Sequence, residues 1–327
     1  MKKASLFFLF LTILIVVSIN PFTHASPILN LTVKTDKPSY YIGEYVFVYG
    51  NLTEDDTPIQ DGLIALEVNG PYGTLVVRTL TTNVTPIANW LLNVTDVTPC
   101  DQNGNPKESF QKGTLAYFNV TVRNNDIEMR HILVTVNVYD QSQAPLSVAS
   151  FEGVVQQNST FSVIMSVPIS KTAETGTATV YANAYSEWPK HGGKAYCPEK
   201  SKTLQIINGG TQASVTTLNE QEGNYNTTFK LSSEEPLGTY TVHVTSMYQW
   251  ATASNSTQFE VSIQGDANGD GRVDGVDQGL LSKHWLGEDV EPPTVPPYNG
   301  AVDFNGDGII DGGDQGIMGK NWLYPYS

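Results

Sequence analysis

The chain has 327 residues, of which 40% are hydrophobic and only 16% charged, and its formal net charge is −15. Phosphate repels a chain this acidic, so the composition disfavours nucleic acid as a partner. Two cysteines cannot build a disulfide scaffold or a cysteine-based zinc site, and the length predicts two or three domains.

The N-terminus has the pattern of a secretory signal peptide. Lys2 and Lys3 precede a 14-residue apolar run at 6–19, and Ala25 lies at the −1 position of a cleavage site. The alternative is an uncleaved anchor, but 14 helical residues span only about 21 Å, which is short for a bilayer. We therefore predict that residues 1–25 are removed and that the protein is secreted or displayed at the cell surface, without a membrane span.

Eight Asn-x-Ser/Thr sequons agree with export, and all of them precede residue 264. Surface glycosylation of this part of the chain is therefore a hypothesis. The sequons begin at Asn30, Asn51, Asn83, Asn93, Asn119, Asn158, Asn226 and Asn255.

From residue 29 to 259 the sequence alternates short β-type runs with turns. The runs at 45–49, 63–68 and 75–77 predict strands, and Asn-Gly-Pro-Tyr-Gly at 69–73 predicts the turn between the last two. The opening segment LTVKTDKPSYYIGEYVFVYGNL (31–52) resembles the start of macroglobulin-type extracellular Ig-like domains.

Five segments between residues 89 and 207 alternate apolar and polar residues with a period of two. This part resembles the CARDB-type Ig-like domain. The flanking pieces, 28–84 and 208–263, are each too short to close a sandwich, but together they are as long as one Ig-like domain. We therefore predict one discontinuous sandwich (28–84 and 208–263) with a second sandwich (89–207) inserted in it; three units in series are the alternative.

Cys100 and Cys197 lie near the two ends of the predicted inserted unit. In an exported protein this placement favours one disulfide that joins those ends, and two free buried thiols are the alternative.

Residues 265–327 differ in character, with 11 acidic residues against 3 basic ones. Two segments, 266–287 and 303–324, are identical at 13 of 22 positions. Each begins with a D-x-N-x-D-G loop, which turns side-chain oxygens inward and suits Ca²⁺ at loop positions 1, 3, 5, 7 (through the backbone carbonyl), 9 and 12. The predicted ligands of two calcium ions are Asp266, Asn268, Asp270, Arg272, Asp274 and Asp277, and Asp303, Asn305, Asp307, Ile309, Asp311 and Asp314.

A helix is predicted to leave each loop, at about 275–286 and 312–323, with Gly287 as the residue that ends the first helix. No helix enters either loop. The second helix holds four glycines, so we expect it to need calcium in order to form. The two helices are expected to pack together through Val276, Leu280, Leu281, Trp285, Ile317, Met318 and Trp322.

Duplicated half EF-hands at the C-terminus of an exported chain closely resemble a type I dockerin, over residues 265–324. The resemblance implies docking to a cohesin module on a scaffold or surface protein, as in cellulosomes. It also implies that positions 10, 11, 17 and 18 of each repeat contact the cohesin, and the Ser-Thr pair common at positions 10 and 11 is absent. These positions are Gly275, Val276, Ser282 and Lys283, and Gly312, Gly313, Gly319 and Lys320.

The sequence contains no recognisable catalytic motif around its histidines and no G-x-S-x-G element. We therefore predict a mainly β protein of two Ig-like sandwiches and a small all-α dockerin, without enzymatic activity. The alternative is a carbohydrate-binding accessory of a polysaccharide-degrading complex. Its candidate sugar-stacking residues, which could equally fill cores, are Trp90, Trp188, Tyr196, Tyr248 and Trp250.

Overall fold

The computed structural model describes residues 28–82, 90–208, 223–248, 251–289 and 297–323. The predicted signal peptide and the sequon at Asn83 lie outside the described residues. Strands dominate, and two short α-helices follow them. The strands are β1 (Leu29–Leu31), β2 (Lys34–Thr35), β3 (Ser39–Tyr41), β4 (Tyr45–Glu54), β5 (Thr57–Pro58), β6 (Leu63–Gly70), β7 (Gly73–Thr81), β8 (Leu92–Cys100), β9 (Ser109–Gln111), β10 (Leu115–Asn124), β11 (Arg130–Tyr139), β12 (Pro145–Val155), β13 (Thr160–Pro168), β14 (Gly176–Tyr185), β15 (Lys200–Ile207), β16 (Asn224–Lys230), β17 (Gly238–Tyr248) and β18 (Ala251–Ser262). The helices are α1 (Gly275–Lys283) and α2 (Gly312–Lys320), and a 3-10 turn spans Pro189–His191.

Strands from the two ends of the β region pair with each other. One sheet holds β4 between β1 and β16, with β2 and β5 also paired to β4, and the other has the order β3-β18-β17-β6-β7. Their inner faces share one hydrophobic cluster that includes Val46, Val48, Leu66, Phe229 and Phe259. Residues 29–81 and 224–262 thus build common sheets and a common core.

The strands between residues 92 and 207 form two further sheets, with the orders β13-β10-β8 and β12-β11-β14-β15-β9. In the described residues, these strands pair with one another and with no strand of the flanking segments. A second cluster, which includes Phe110, Phe118, Val136 and Val180, lies between them. The alternating burial of β10 follows from its sequence, because successive side chains of a strand point to opposite faces.

Two strands are buried on both faces. The first six residues of β6 and the last eight of β11 are all buried, although the other strands mostly alternate. The reason is a third cluster, in which Leu63 and Ala65 of β6 meet Leu133 of β11 and Tyr185 of β14. The sheet that contains β6 therefore packs face to face on the sheet that contains β11.

A buried ion pair crosses this contact. Arg78 of β7 donates to the carboxylate of Glu199 from Nε at 2.8 Å and from Nη2 at 2.5 Å. The guanidinium carbon lies 3.5 Å from the ring centroid of Tyr181, and the Arg78 side chain is only 12% exposed. Burial would lower the pKa of Arg78, but the charge and hydrogen bonds of Glu199 raise it well above its ordinary value. Arg78 therefore keeps its positive charge in the folded protein.

The predicted disulfide is wrong, because Cys100 and Cys197 are both free and buried. The Val94 backbone N–H donates to Cys197 Sγ at 3.3 Å. Val94 precedes Cys100 by six residues in β8, or about 20 Å along an extended strand, whereas a disulfide needs Cα atoms about 4.4–6.8 Å apart. Burial raises the pKa of Cys197 to about 11 and that of Cys100 above its usual value, because desolvation disfavours the thiolate.

No helix among the described residues is long and apolar enough to cross a bilayer. The described helices are the two of the C-terminal segment, α1 and α2, and each has nine residues.

We expect Arg78→Met to reduce the free energy of unfolding by about 3 kcal/mol, because it removes the charged partner of the largely buried Glu199 carboxylate and leaves the Thr79 N–H as its remaining described donor. Replacing both residues, as Arg78→Met with Glu199→Leu, should recover part of this loss. Denaturant unfolding of the full chain would measure both variants.

The matched control is Lys37→Met, which breaks the ion pair of Lys37 with Glu44, whose side chains are 48% and 35% exposed. Its expected cost is below about 1 kcal/mol. Equal losses at Arg78 and Lys37 would show that the buried pair does not hold the two sheets together.

Candidate metal centre and docking face

The first acidic loop folds around the carboxylate at its first position. Asp266 Oδ1 accepts the backbone N–H of Gly269 at 2.7 Å, and Oδ2 accepts that of Gly271 at 2.8 Å. Asn268 Oδ1 accepts the N–H of Asp270 at 3.0 Å. Gly269 and Gly271 have φ of 74° and 84°, which glycine adopts without strain. The D-x-N-x-D-G pattern therefore closes a compact turn lined with oxygen atoms.

The carboxylate at position 12 ties the end of each loop to its beginning. Asp277 is fully buried, and its Oδ1 accepts the N–H groups of Ala267 at 2.8 Å and Asn268 at 3.2 Å. Its Oδ2 accepts the N–H of Asp274 at 2.8 Å. Asp314 makes the same three contacts in the second loop and is also fully buried. A buried anion needs hydrogen bonds and a counter-charge, and these three backbone N–H groups supply the hydrogen bonds but no full positive charge.

The same acidic residues start the helices. Asp274 is the N-cap of α1, and its side chain accepts the N–H of Val276 at 2.8 Å, while Asp277 closes the capping box. Asp311 and Asp314 do the same for α2. Each helix therefore begins at the position that loop closure fixes.

The donor set fits calcium. Each loop offers hard oxygens from aspartate and asparagine side chains, which Ca²⁺ prefers over softer metals. No group of three or more histidine, cysteine, aspartate or glutamate side chains is gathered closely enough to hold a metal, within the part of the chain that the structure describes. In the described loops the carboxylates at positions 1 and 12 accept backbone N–H groups of their own loop. The fit to calcium therefore rests on the oxygen donors that each loop carries and on their order along the loop.

One side-chain contact distinguishes the second loop from the first. The Tyr298 hydroxyl donates to Asp303 Oδ2 at 2.8 Å, and this bond raises the pKa of Tyr298 to about 12. The corresponding residue of the first repeat is Val261, a buried residue of β18. The carboxylate at position 1 therefore has a side-chain donor in the second loop that the first repeat cannot supply.

The repeats also bind each other through their backbones. Leu286 N–H donates to Ile310 O at 2.8 Å, Ile310 N–H to Gly287 O at 3.0 Å, and Leu323 N–H to Val273 O at 2.8 Å. Val273 and Ile310 occupy position 8 of their loops and are fully buried. Neither was predicted as a core residue, although an apolar residue at the same loop position of both repeats is a sequence pattern that indicates burial.

The helices are shorter than predicted and end differently. They stop at Lys283 and Lys320, and the left-handed residues that follow are Leu286 and Leu323, with φ of 63° and 64°. Gly287 is therefore not the residue that reverses the chain. It is buried instead, where a Cβ would lie 2.9 Å from the carbonyl oxygen of His284.

The helix packing is confirmed except at one residue. Leu281 and Met318 are buried, and Leu280, Trp285, Ile317 and Trp322 pack partly against the same cluster. Val276, in contrast, is 57% exposed and belongs to the outer face of α1. All eight residues predicted to contact a partner are exposed: Gly275, Val276, Ser282 and Lys283, and Gly312, Gly313, Gly319 and Lys320.

The C-terminal segment packs on the β region and is not merely tethered to it. Ile42 and Leu237 of the β region pack against its hydrophobic cluster. Gln264, which follows the last strand, is hydrogen-bonded to the second repeat. Its Nε2 donates to Phe304 O at 2.5 Å, and Asn321 Nδ2 donates to Gln264 O at 2.7 Å.

Residues 264–321 match the family model of the dockerin type I domain. This match supports calcium binding and cohesin binding by the C-terminal segment, and confirms the resemblance seen in its sequence. The family match covers less than a fifth of the chain and does not name the β region. No curated protein matches the chain.

Among solved structures, the chain is similar to the alkylpurine DNA glycosylase AlkC of Pseudomonas fluorescens bound to DNA with an abasic site analogue, with 9% identity, a TM-score of 0.27, and coverage of 37% of this chain and 31% of that one. The chain is also similar to the C-terminal domain of wzt, with 9% identity, a TM-score of 0.32, and coverage of 41% of this chain and 88% of that one. A third similar structure is the β-glucosidase EmGH1 of Erythrobacter marinus, with 10% identity, a TM-score of 0.27, and coverage of 36% of this chain and 15% of that one. The matched part thus spans about a third of AlkC, and likenesses this remote carry no functional argument.

The sugar-stacking candidates are mostly packed. Trp90, Trp188, Tyr196 and Tyr248 all lie partly buried against the hydrophobic clusters, and Trp250 is outside the described residues.

We expect Asp277→Asn to remove one of two calcium-binding events and to leave the other nearly unchanged, and Asp314→Asn to remove the other. The amide loses a charge and places an N–H₂ where three backbone N–H groups need an acceptor, so the affinity of the altered loop should fall at least tenfold. Calorimetric titration of the full chain with Ca²⁺ measures this. Asp56→Asn, in an exposed turn, is the control, and loss of both events in either variant would contradict independent loops.

Tyr298→Phe should weaken only the second loop, by about tenfold, because a hydrogen bond that orients a ligand is removed and the ring is kept. The same calcium titration checks it, with the exposed Tyr72→Phe as the control. If both loops change equally, Tyr298 acts on the stability of the whole segment and not on Asp303.

Proposed function

We propose that this chain is an exported, non-catalytic protein that docks its β units onto a cohesin-bearing scaffold or surface protein through a calcium-loaded C-terminal dockerin. The observation that carries the proposal is the match of residues 264–321 to the dockerin type I domain, combined with the exposure of all eight expected contact residues. Export rests on the signal-peptide pattern of residues 1–25.

Two calcium ions, one per loop, fit the duplicated donor sets. When bound, each ion would supply positive charge beside the carboxylates of its loop. Asp277 and Asp314 close the loops and the capping boxes together, so metal binding and helix formation share the same residues. This sharing supports the expectation that the glycine-rich α2 depends on calcium.

The β region is proposed to be one discontinuous Ig-like sandwich, 28–84 with 208–263, that carries a second one, 89–207, as an insertion. The strand pairing supports this arrangement over three units in series. The buried contact around Arg78 and Glu199 supports a fixed orientation of the two units.

The absence of catalysis is also a proposal. Among the described histidines, His191 Nδ1 lies 3.4 Å from Glu187 on an exposed turn, and His284 Nδ1 lies 2.8 Å from the carbonyl oxygen of Pro297. Neither contact includes a nucleophilic side chain, and both are typical of surface turns.

The proposal predicts that the full chain binds a type I cohesin in the presence of Ca²⁺ and releases it when a chelator is added. Lys283→Glu alone should weaken binding less than tenfold, because the second repeat offers a similar face. Lys283→Glu with Lys320→Glu should weaken it by more than a hundredfold. Calorimetry against a panel of cohesins, repeated with the control Lys171→Glu, measures this.

No binding to any cohesin by the calcium-loaded chain would overturn the docking proposal. Binding that the double variant leaves intact would keep the dockerin and place its contact elsewhere on the helices.

A further inference from the structure

Two of the eight sequons belong to a longer pattern. Residues 49–53 and 117–121 both read Tyr-x-Asn-x-Thr, and the other six sequons have no aromatic residue two positions before the asparagine. Each copy lies in a strand that has a neighbour on both sides, since β4 pairs with β1 and β16, and β10 pairs with β8 and β13. The pattern therefore occurs once in each pair of sheets, in an inner strand each time.

The tyrosine and the asparagine of each copy lie on the outer face of their sheet. Tyr49 is 37% exposed and Asn51 is exposed, while the residue between them is buried. Tyr117 and Asn119 are half-buried, again with a buried residue between them. Side chains two residues apart in a strand share one face and lie about 7 Å apart. Each sequon amide is therefore next to a tyrosine ring on the water-exposed side.

The ring beside Asn51 has one face available. The Phe47 and Tyr49 ring centroids are 5.4 Å apart, with ring planes within 20°, so these two rings stack on each other. Since one face of the Tyr49 ring packs on Phe47, the other is the face that a group attached to Asn51 can cover. Phe47 is also 37% exposed, and adjacent exposed aromatic rings are costly in water unless something covers them.

From this arrangement we propose that Asn51 and Asn119 carry N-linked glycans, and that the first sugar of each glycan covers the neighbouring tyrosine ring. A pyranose ring presents C–H groups on its faces, and these groups pack on an aromatic ring. The asparagine position selects this occupant, because a sugar attached two residues from the ring on the same face needs no separate binding site. The proposal rests on the export that the proposed function includes.

The modification transfers a glycosyl group to the asparagine side chain. The donor is a lipid-linked glycosyl phosphate, and a glycosyltransferase of the exporting cell is the catalyst. The side-chain Nδ2 forms a bond to the anomeric carbon of the sugar and gives up one proton. The bond between that carbon and the phosphate oxygen breaks, and the lipid phosphate leaves with the bonding electrons. This chain supplies only the acceptor and the Asn-x-Thr triplet.

Two other described sequons hold their amide nitrogens differently. Asn93 Nδ2 donates to Trp90 O at 3.1 Å, and Asn255 Nδ2 donates to Leu31 O at 2.9 Å. Because Nδ2 keeps a single hydrogen after glycosylation, these bonds restrict where a sugar could lie. Neither site offers a ring two residues before the asparagine, so a glycan there would gain no such contact.

Mass spectrometry of intact glycopeptides tests the attachment, on the full chain exported by the cells that make it. We expect glycan masses on the peptides that contain Asn51 and Asn119 in most molecules. The N-terminal peptide of the same sample reports export separately, because a cleaved chain begins at residue 26. Unmodified Asn51 and Asn119 in a cleaved chain would overturn this proposal and leave export standing. Retention of residues 1–25 in an unmodified chain would overturn both.

Thermal unfolding tests the contact with the rings. Asn51→Gln with Asn119→Gln should lower the midpoint of the glycosylated chain by about 2–4 °C, because the contacts of the sugars with the rings are lost. The matched control is Asn158→Gln, at an exposed turn without a ring two residues before it, and it should change the midpoint by less than about 1 °C.

A second comparison separates the glycan from the substitution itself. Made in a host without the transferase, the double variant and the unchanged chain should have the same midpoint within about 1 °C. An unchanged midpoint in the glycosylated variant, or the same loss in the chains without glycan, would overturn the contact with the tyrosine rings.

Nitration by tetranitromethane measures the cover of the rings directly. Tyr49 and Tyr117 should react severalfold more slowly in the glycosylated chain than in the chain without glycan. Tyr72, which is 92% exposed and belongs to no sequon, is the control and should react equally in both. Equal rates at Tyr49 and Tyr117 in the two forms would show that the glycans extend into solvent and leave the rings uncovered, against the proposal.

Discussion

The architecture depends on the burial of β6 and β11 on both faces. A strand with one apolar face can be satisfied by its own sandwich, but these two need a second layer on the outside. β7 covers the outer face of β11, where the Val77 N–H donates to Asn137 Oδ1 at 3.1 Å. The turn at Pro189–His191 covers the outer face of β6, where the Lys190 N–H donates to Glu67 Oε2 at 3.0 Å. The strands of one pair of sheets are therefore buried by segments that belong to the other pair. The Arg78–Glu199 pair lies at this contact. It restricts the relative orientation of the two sheets, because a bidentate guanidinium–carboxylate pair tolerates little rotation.

Strand positions followed from the sequence because alternation is a local property. The runs at 45–49, 63–68 and 75–77 and the turn at 69–73 lie where they were expected. Long-range contacts left no such local signal. The continuous apolar run 63–68 predicts a buried strand but does not say what covers its outer face. The cysteine prediction failed for the same reason, since sequence placement near two ends of a unit did not reveal that the Cys197 thiol lies beside Val94, near the start of the strand that ends at Cys100.

The C-terminal segment was more predictable, because its chemistry repeats. Loop positions and helix starts follow from a 37-residue offset between two copies, and the residues predicted to dock follow from the resemblance to the dockerin family. The errors came from contacts between the copies. Leu286 and Leu323 take the left-handed conformation so that their N–H groups reach Ile310 and Val273 of the other repeat, at a backbone cost that a glycine in the same place would avoid. Val276, near the start of α1, lies on the exposed face of that helix.

The dockerin segment and the sheets meet at one short loop. β18 ends at Ser262 and the first acidic loop begins at Asp266, so almost no linker separates this segment from the sheets. Ile42 of the β region packs into the hydrophobic cluster of the segment. A cohesin held by the two helices, as proposed, would therefore keep a fixed orientation relative to the sheets. A flexible tether, in contrast, would let the cohesin and the sheets move independently.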